Sequence, residues 1–107
     1  MSTITDNQTK EKDAVLSKPG QKNQHPSMYR VILHNDDYTT MEFVVEILIK
    51  IFGKTLEKAY EIMLNVHREG RGICGVYTFE IAETKVDTVH KLAGDRGFPL
   101  RSTMEKE

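Results

Sequence analysis

Between residues 27 and 107 the spacing of the apolar positions switches between the period of a strand and that of a helix. Residues 28–33 alternate and are rich in β-branched side chains, which predicts a strand. Residues 73–79 predict a second strand. Residues 99–104 predict a short third strand, which should lie at a sheet edge because it opens with proline, which has no N–H for the ladder.

Apolar side chains three and four residues apart predict three helices. The first begins at Thr39, whose hydroxyl forms a capping box with Glu42, and ends before Gly53. The second covers residues 55–70 and the third residues 81–93, each closed by glycine. The order β-α-α-β-α-β predicts a small α/β two-layer sandwich, with three helices on one face of a three-stranded antiparallel sheet.

The first 26 residues have a different composition from the rest of the chain. They are rich in Thr, Gln, Asn, Lys and Asp, and their few apolar side chains show no sustained period. Such a segment cannot bury enough apolar surface to offset the entropy that folding costs. We therefore expect a flexible N-terminal extension over residues 1–26 and one folded domain over residues 27–107.

Composition and charge narrow the class of protein. The chain has 107 residues, with 15 basic and 16 acidic side chains, so its balanced charge favours neither nucleic acid nor an anionic membrane as a partner. A single cysteine, Cys74, forms no intramolecular disulfide and suits a reducing compartment. There is no apolar run near the roughly 20 residues of a membrane span, and no apolar signal segment. We expect a soluble cytoplasmic protein.

Three acceptor-bearing side chains, Asn35, Asp36 and Asp37, follow the first strand. Asn and Asp most often form turns and helix caps in such places, which explains one or two of them better than three in a row. On the second helix Met63 and His67 share a face, and in a helical hairpin the end of that helix returns to the start of the first. This geometry would bring His67 near the three acceptors.

Together these side chains predict a small pocket with polar acceptors at its rim and Met and Val walls. An ammonium group has three donors and no acceptor, so Asn35, Asp36 and a neutral His67 could hold one between them. The apolar walls would then take an attached hydrophobic group. An amine joined to a bulky apolar group describes the N-terminal residue of a protein. Core packing for the Met and Val positions and a structural role for His67 remain the competing interpretations.

Other functions are less well supported by the sequence. Possible metal ligands occur without the tight spacing of known sites, so we predict no metal and no cofactor; they are His34, Asp36, Asp37, His67 and Cys74. Cys74 lies in an apolar strand and is expected to be buried and inert. An Asp–His pair could act as acid and base, but nucleophile and phosphate-loop motifs are missing, so we predict no catalytic residue.

The motifs VILHNDDYTTMEFV, MLNVHREGRGICGVYT and AETKV resemble those of the ClpS family, the adaptors of the bacterial ClpAP protease. The likeness spans residues 26–107. It implies the fold derived above, which also resembles the C-terminal domain of ribosomal protein L7/L12. An interaction module for the ribosome or a translation factor is therefore the alternative function. The resemblance implies an adaptor that binds N-degrons beginning with Leu, Phe, Tyr or Trp and delivers them to the N-terminal domain of ClpA or a related unfoldase.

The resemblance also implies roles for individual residues. Asn35, Asp36 and His67 would hold the α-amino group, and Met41 would be the gate that rejects β-branched side chains. Glu80 and Lys85 would face the unfoldase, while the N-terminal extension would serve hand-off but not docking. The side-chain pocket would be lined by Thr39, Met41, Val44, Met63, Val66 and Leu100. This chain departs from the family pattern at Thr40, where proline is common, and at His34, where an apolar residue is common.

Overall fold

The computed structural model describes residues 25–107. The elements, in chain order, are β1 (Met28–His34), α1 (Met41–Lys50), α2 (Leu56–Glu69), β2 (Arg71–Thr78), α3 (Phe79–Asp95) and β3 (Arg101–Lys106). The predicted order of strands and helices is confirmed. Residues 1–24 of the predicted N-terminal extension lie outside the described residues. Within residues 25–107 no helix is long and apolar enough to cross a membrane.

The three strands form an antiparallel sheet in the order β2-β1-β3. β1 is the central strand, and its middle residues Val31, Ile32 and Leu33 are fully buried. β2 and β3 each pair with β1 alone, so the predicted edge position of the last strand is confirmed. Because β1 is held on both sides, the loop that leaves it at His34 starts from the most firmly paired strand of the sheet.

The helices cover one face of the sheet. Val31 and Leu33, two residues apart on β1, point into this layer, as alternation along a strand requires. The helices contribute most of the remaining buried cluster, namely Phe43, Val44, Ile47, Leu48, Ala59, Ile62, Met63, Val66, Ala82, Val89 and Ala93. Phe52, Cys74 and Leu100 complete it. Ile32 is buried too, but it faces the other side of the sheet and lies outside this cluster.

Cys74 occupies a β-bulge in β2. Val31 pairs with Gly75 and Ile32 pairs with Ile73, so Cys74 is the extra residue between them. Its side chain is fully buried in the helix-facing core. Burial raises the pKa of the thiol to about 12. The thiol is therefore protonated at neutral pH, in agreement with the expected inert role.

The predicted capping box at the start of α1 is wrong by one residue. Thr40 is the N-cap, and its hydroxyl accepts a hydrogen bond from the Phe43 N–H at 3.1 Å. The Thr39 N–H, which the predicted box would offer to Glu42, donates instead to the Asp36 carboxylate. With Thr40 as the cap, Phe43 occupies the third helical position, so Glu42 is not placed to reach back.

Other boundaries also differ from the prediction. β3 covers Arg101–Lys106 rather than residues 99–104, so Pro99 lies in the loop before the strand and does not open it. β2 starts at Arg71, two residues earlier than expected, because Gly70 turns the chain directly from α2 into the strand with a φ of 89°. α3 starts at Phe79, which the apolar pattern assigned to the end of the strand. Arg71 and Gly72 lack the β-branched character that would have extended the predicted strand.

Candidate functional site

A backbone hydrogen bond joins the loop after β1 to the end of α2. The Asn35 N–H donates to the Gly70 carbonyl at 2.9 Å. Asn35 is the first residue after β1, and Gly70 is the first residue after α2. His67 lies in the last turn of α2, one turn before Gly70. This connection brings the histidine and the acceptor-rich loop to the same place, as the helical-hairpin argument predicted.

Asp36 is the side chain around which the loop folds. Its Oδ1 accepts hydrogen bonds from the N–H groups of Tyr38 (2.8 Å) and Thr39 (2.7 Å), and its Oδ2 accepts one from the Thr39 hydroxyl (2.8 Å). Burial raises the pKa of this carboxyl, but the three hydrogen bonds outweigh it and hold the pKa below its usual 3.8. Asp36 is therefore ionised at neutral pH, with about one of its four acceptor positions still available.

A cavity of about 260 Å³ opens between this loop and the two helices. Its lining combines three kinds of side chain: polar acceptors, acids and methionines. It contains two carboxylates and no lysine or arginine, so its electrostatic potential favours a cation. The lining residues are Asn35, Asp36, Asp37, Thr39, Met41, Met63 and His67.

A second cavity, also of about 260 Å³, adjoins the first and shares Met41 and Met63 with it. It is more apolar, and its other lining residues are Glu42, Val45 and Tyr60. An apolar cavity of about 150 Å³ is already large enough to hold benzene. Either cavity therefore has room for an aromatic or branched aliphatic side chain.

The structure brings six of the nine predicted pocket residues to one cavity: Asn35, Asp36, Thr39, Met41, Met63 and His67. The other three, Val44, Val66 and Leu100, are almost fully buried and line neither cavity. They lie in the packed core, where apolar spacing alone cannot separate a pocket floor from ordinary packing.

The sequence reasoning did not assign Tyr60 or Val45 to a site. Tyr60 is 54% exposed, three residues before Met63 on the face of α2 that also carries His67. An aromatic side chain at that spacing was the available signal. Asp37 was noted as an acceptor but was not given a site role, and it lines the cavity.

The two residues expected to face the unfoldase have different surroundings. Glu80 is exposed in the first turn of α3. Lys85 is half-buried, and its Nζ donates to the Ile51 carbonyl at 2.8 Å. The same ammonium lies 5.7 Å from the centre of the Phe52 ring and 5.1 Å from that of Tyr77. Lys85 therefore ties α3 to the end of α1.

His34, next to the site, faces the sheet side opposite the helices. Its Nε2 lies 2.7 Å from the Thr103 hydroxyl, across the β1–β3 pair. Burial lowers the pKa of its imidazole, and the charges of Arg101 and Arg71 lower it further. Because it points to that face, His34 does not line the cavity that contains Asp36. No group of three or more His, Cys, Asp or Glu side chains in residues 25–107 is placed to hold a metal ion.

Comparison with known proteins identifies the family. Residues 24–103 match the family described as "ATP-dependent Clp protease adaptor protein ClpS". The chain belongs to the ClpS family. The ATP-dependent Clp protease adapter protein ClpS of Desulforapulum autotrophicum is 68% identical to it over 96 residues, which cover 90% of this chain and 92% of that protein. The ClpS of Acetivibrio thermocellus is 54% identical over 97 residues, covering 91% and 98%.

A solved ClpS structure has the same fold. Agrobacterium tumefaciens ClpS2, bound to L-phenylalaninamide, superposes with a TM-score of 0.75 at 38% sequence identity. The match covers 78% of this chain and 100% of the ClpS2 chain. The predicted fold class and the family resemblance are thus confirmed together.

Proposed function

We propose that this chain is an adaptor that binds proteins through an N-terminal Leu, Phe, Tyr or Trp and delivers them to the unfoldase of a Clp protease, ClpA or a close relative. The observation that carries the proposal is one cavity in which a carboxylate, an amide and an imidazole lie beside two methionines. Such a lining matches an ammonium group attached to an apolar side chain.

The α-amino group is held by Asn35, Asp36 and His67. Asp36 supplies the negative charge, and the hydrogen bonds from Thr39 and Tyr38 fix the direction in which its free acceptor position points. Asn35 contributes its amide oxygen and neutral His67 a ring nitrogen. Three acceptors around three N–H donors satisfy the whole ammonium group, which limits the cost of removing it from water.

The side chain of the first residue enters between Met41 and Met63. Met41 is 44% exposed, so it can move to admit or enclose a ring. We assign the pocket to Thr39, Met41 and Met63, which line the cavity. The other members implied by the resemblance, Val44, Val66 and Leu100, line neither cavity and are proposed to support the pocket from the core. Met41 is the gate that rejects β-branched residues, whose extra methyl group lies close to the main chain where the gate narrows the entrance.

The complex of the Agrobacterium relative supports this assignment. L-phenylalaninamide, the molecule bound to ClpS2, has a free amino group, a benzyl side chain and no carboxylate. It therefore presents the features of the first residue of a polypeptide. The 38% identity and shared fold make the corresponding cavity of this chain the natural place for such a group.

Delivery requires a second surface, and we assign it to the start of α3. Glu80 lies there between two apolar side chains that are about half exposed, Phe79 and Ile81. Exposed apolar side chains that lie together are typical of a protein-binding surface, and a neighbouring charged side chain belongs to the polar rim of such a surface. Lys85 contributes from the same helix, and the N-terminal extension, residues 1–26, serves the hand-off rather than the docking.

A peptide-binding assay tests the proposal. Labelled peptides that differ only in their first residue are titrated with the protein, each with a free and an acetylated N-terminus. Peptides that begin with Leu, Phe, Tyr or Trp should bind, and acetylation should abolish binding because it removes the positive charge. Equal binding of both forms would exclude the amine site. A ribosomal interaction module would be indifferent to the amine, and an enzyme would turn the peptide over.

A further inference from the structure

The second cavity lies between the two helices of the hairpin, and we call it the α1–α2 groove. From α1 it is lined by Met41 and Val45, which are four residues apart and share one face of that helix. From α2 it is lined by Tyr60 and Met63, which are three residues apart. Met63 is almost fully buried, whereas Met41 is 44% and Tyr60 54% exposed. The groove therefore has a buried floor and apolar walls that a ligand can reach.

The lining of the groove suits one apolar side chain. Four of its five lining residues are apolar, and its volume of about 260 Å³ is enough for an aromatic ring. The ring of Tyr60 can pack against another aromatic ring, and methionine sulfur makes favourable contacts with ring edges. Glu42 is the single charged residue in the lining, and it is exposed. The groove is thus an apolar site with one polar residue at its rim.

The groove is continuous with the proposed amine site, which Asn35, Asp36 and His67 form. Both cavities are lined by Met41 and Met63. Along α2, Tyr60 precedes His67 by two helical turns, which span about 10 Å. A polypeptide advances by about 3.3–3.6 Å per residue. The second residue of a polypeptide that is held by its amine therefore lies within the length of one side chain from Tyr60.

The conformation of an unfolded chain allows its first two side chains to enter neighbouring cavities. Polyproline II is a major conformer of such chains, and it has three residues per turn, so adjacent side chains diverge without pointing in opposite directions. L-phenylalaninamide, the ligand of Agrobacterium ClpS2, ends at its carboxamide nitrogen, where the second residue of a polypeptide begins. A ligand that is longer by one residue is therefore needed to reach the groove.

We propose that the α1–α2 groove binds the side chain of the second residue of the polypeptide whose first residue occupies the amine site, and that it prefers an aromatic side chain there. The inference deepens the proposed function and rests on it. Met41 then contacts both residues, because it lines both cavities. Tyr60 contacts the second residue alone, since it lines the groove and not the amine cavity, and it is the specificity-determining residue of this second subsite.

The test extends L-phenylalaninamide by two residues. Phe-Ala-Ala-amide, Phe-Phe-Ala-amide and Phe-Ala-Phe-amide compete with a labelled peptide that begins with Phe, and L-phenylalaninamide is the reference. Phe-Phe-Ala-amide should bind the wild type about three- to tenfold more tightly than Phe-Ala-Ala-amide, because a groove that is open on one side buries part of the ring. Phe-Ala-Phe-amide has the same composition as Phe-Phe-Ala-amide, but its ring is one residue further along, so it should lack this gain.

Two variants on one face of α2 test the role of Tyr60. Tyr60→Ala should remove most of the gain of Phe-Phe-Ala-amide while leaving the affinity for L-phenylalaninamide unchanged, because that molecule has no second side chain. The matched control is Leu56→Ala, one turn earlier on α2, at a position that is 62% exposed and lines neither cavity. The control should keep the full gain. Unchanged affinity for L-phenylalaninamide also shows that both variants fold.

The outcomes separate this inference from the proposed function. If neither L-phenylalaninamide nor any tripeptide amide binds, the proposed function fails and this inference fails with it. If they bind but the ring at position two gives no gain, or gives no more than the ring at position three, the groove does not bind the second residue. Survival of the gain in Tyr60→Ala would also overturn the inference. If Phe-Arg-Ala-amide binds more tightly than Phe-Phe-Ala-amide and Glu42→Gln removes that difference, the groove selects charge and the aromatic preference is wrong.

Discussion

One carboxylate, that of Asp36, gives the loop after β1 its shape and part of its negative charge. Its three hydrogen bonds within the loop use most of its acceptor capacity and keep it ionised. Asn and Asp commonly shape loops in this way, and at Asp36 that role is compatible with ligand binding. A carboxylate that is already oriented loses little further entropy when a cation arrives.

Asp36→Asn should separate these two roles. The amide oxygen can still accept from the Tyr38 and Thr39 N–H groups, so the loop is kept while the charge is lost. The affinity for a peptide beginning with Phe should fall about 10- to 100-fold, the range for a hydrogen bond to a charged group. Anisotropy titration measures it, with Asp87→Asn on α3 as the control. Equal losses in the two variants would show a general effect of charge.

The same substitution has a predicted pH dependence. Because the folded-state pKa of Asp36 is lowered, its contribution to the free energy of unfolding is present above its usual pKa of 3.8. It is lost as the pH falls through the lowered folded-state pKa. Urea unfolding should therefore show a larger difference between wild type and Asp36→Asn at pH 7 than at pH 3. A difference independent of pH would mean that the carboxylate is not stabilised in the folded state.

Met41→Ala tests the gate. Removal of this exposed side chain should leave room for the extra methyl group of Ile and Val, so peptides that begin with either residue should become measurable ligands. Binding is compared with that of the Phe peptide, and Ile49→Ala, at an exposed position on α1 outside both cavities, is the control. If Ile and Val peptides remain undetectable while Phe still binds, a residue other than Met41 excludes them.

Among the helices and strands, the apolar spacing was enough to place all six elements. The apolar spacing did not give the exact starts of α1 and β2, because local hydrogen bonds and a glycine conformation determine them. Asp36 takes the Thr39 N–H and so moves the cap to Thr40, and Gly70 starts β2 before any β-branched residue appears. The β-bulge at Cys74 could not be predicted from the pattern of apolar and polar positions. Periodicity likewise put Met41 and Val44 on one helix face without showing that one is 44% exposed and the other 6%.

Two glycines make a matched test of backbone conformation, since a Cβ added at either meets nothing within 4 Å. Gly70 has a φ of 89°, so Gly70→Ala should destabilise the fold by about 1–2 kcal/mol. Gly94 lies inside α3, so Gly94→Ala should stabilise it by about 0.5–1 kcal/mol. Denaturant unfolding gives both values. Changes of the same sign would contradict the conformational explanation.

Lys85→Met tests the link between α3 and α1. The variant keeps the apolar stem but loses the hydrogen bond to Ile51 and the contact with two aromatic rings. A loss of about 1–2 kcal/mol in unfolding free energy is expected, with Lys91→Met on the exposed face of the same helix close to neutral. If the free energy of unfolding is unchanged in Lys85→Met, the contacts of Lys85 do not stabilise the fold, and docking is its only remaining proposed role.

Considered as one body, the protein separates its tasks in space. The proposed amine site lies where β1, α1 and α2 meet, and the proposed docking surface lies at the start of α3. If both proposed sites are correct, the adaptor has separate surfaces for the substrate and for the unfoldase, as delivery requires.

Deletion of residues 2–17 tests the hand-off. The truncated chain keeps the whole of the family match, residues 24–103, so it should bind peptides and the unfoldase with unchanged affinity. Degradation of a reporter with an N-terminal Phe should nevertheless stop. The matched control replaces residues 2–17 with a Gly/Ser segment of equal length. It shows whether the length of the extension, independent of its sequence, is enough to support degradation. Full degradation by the truncated protein would refute the assigned role of the extension.

The central position of β1 has a consequence for how the protein fails under heat. Its last residue leads directly into the loop that contains Asn35 and Asp36, and its middle residues Val31, Ile32 and Leu33 are fully buried between the two neighbouring strands. Fraying at the outer strands leaves that junction intact, so recognition should persist until the domain melts as a unit. On heating, peptide binding and the folded structure should therefore be lost in the same transition, without a folded intermediate that no longer binds.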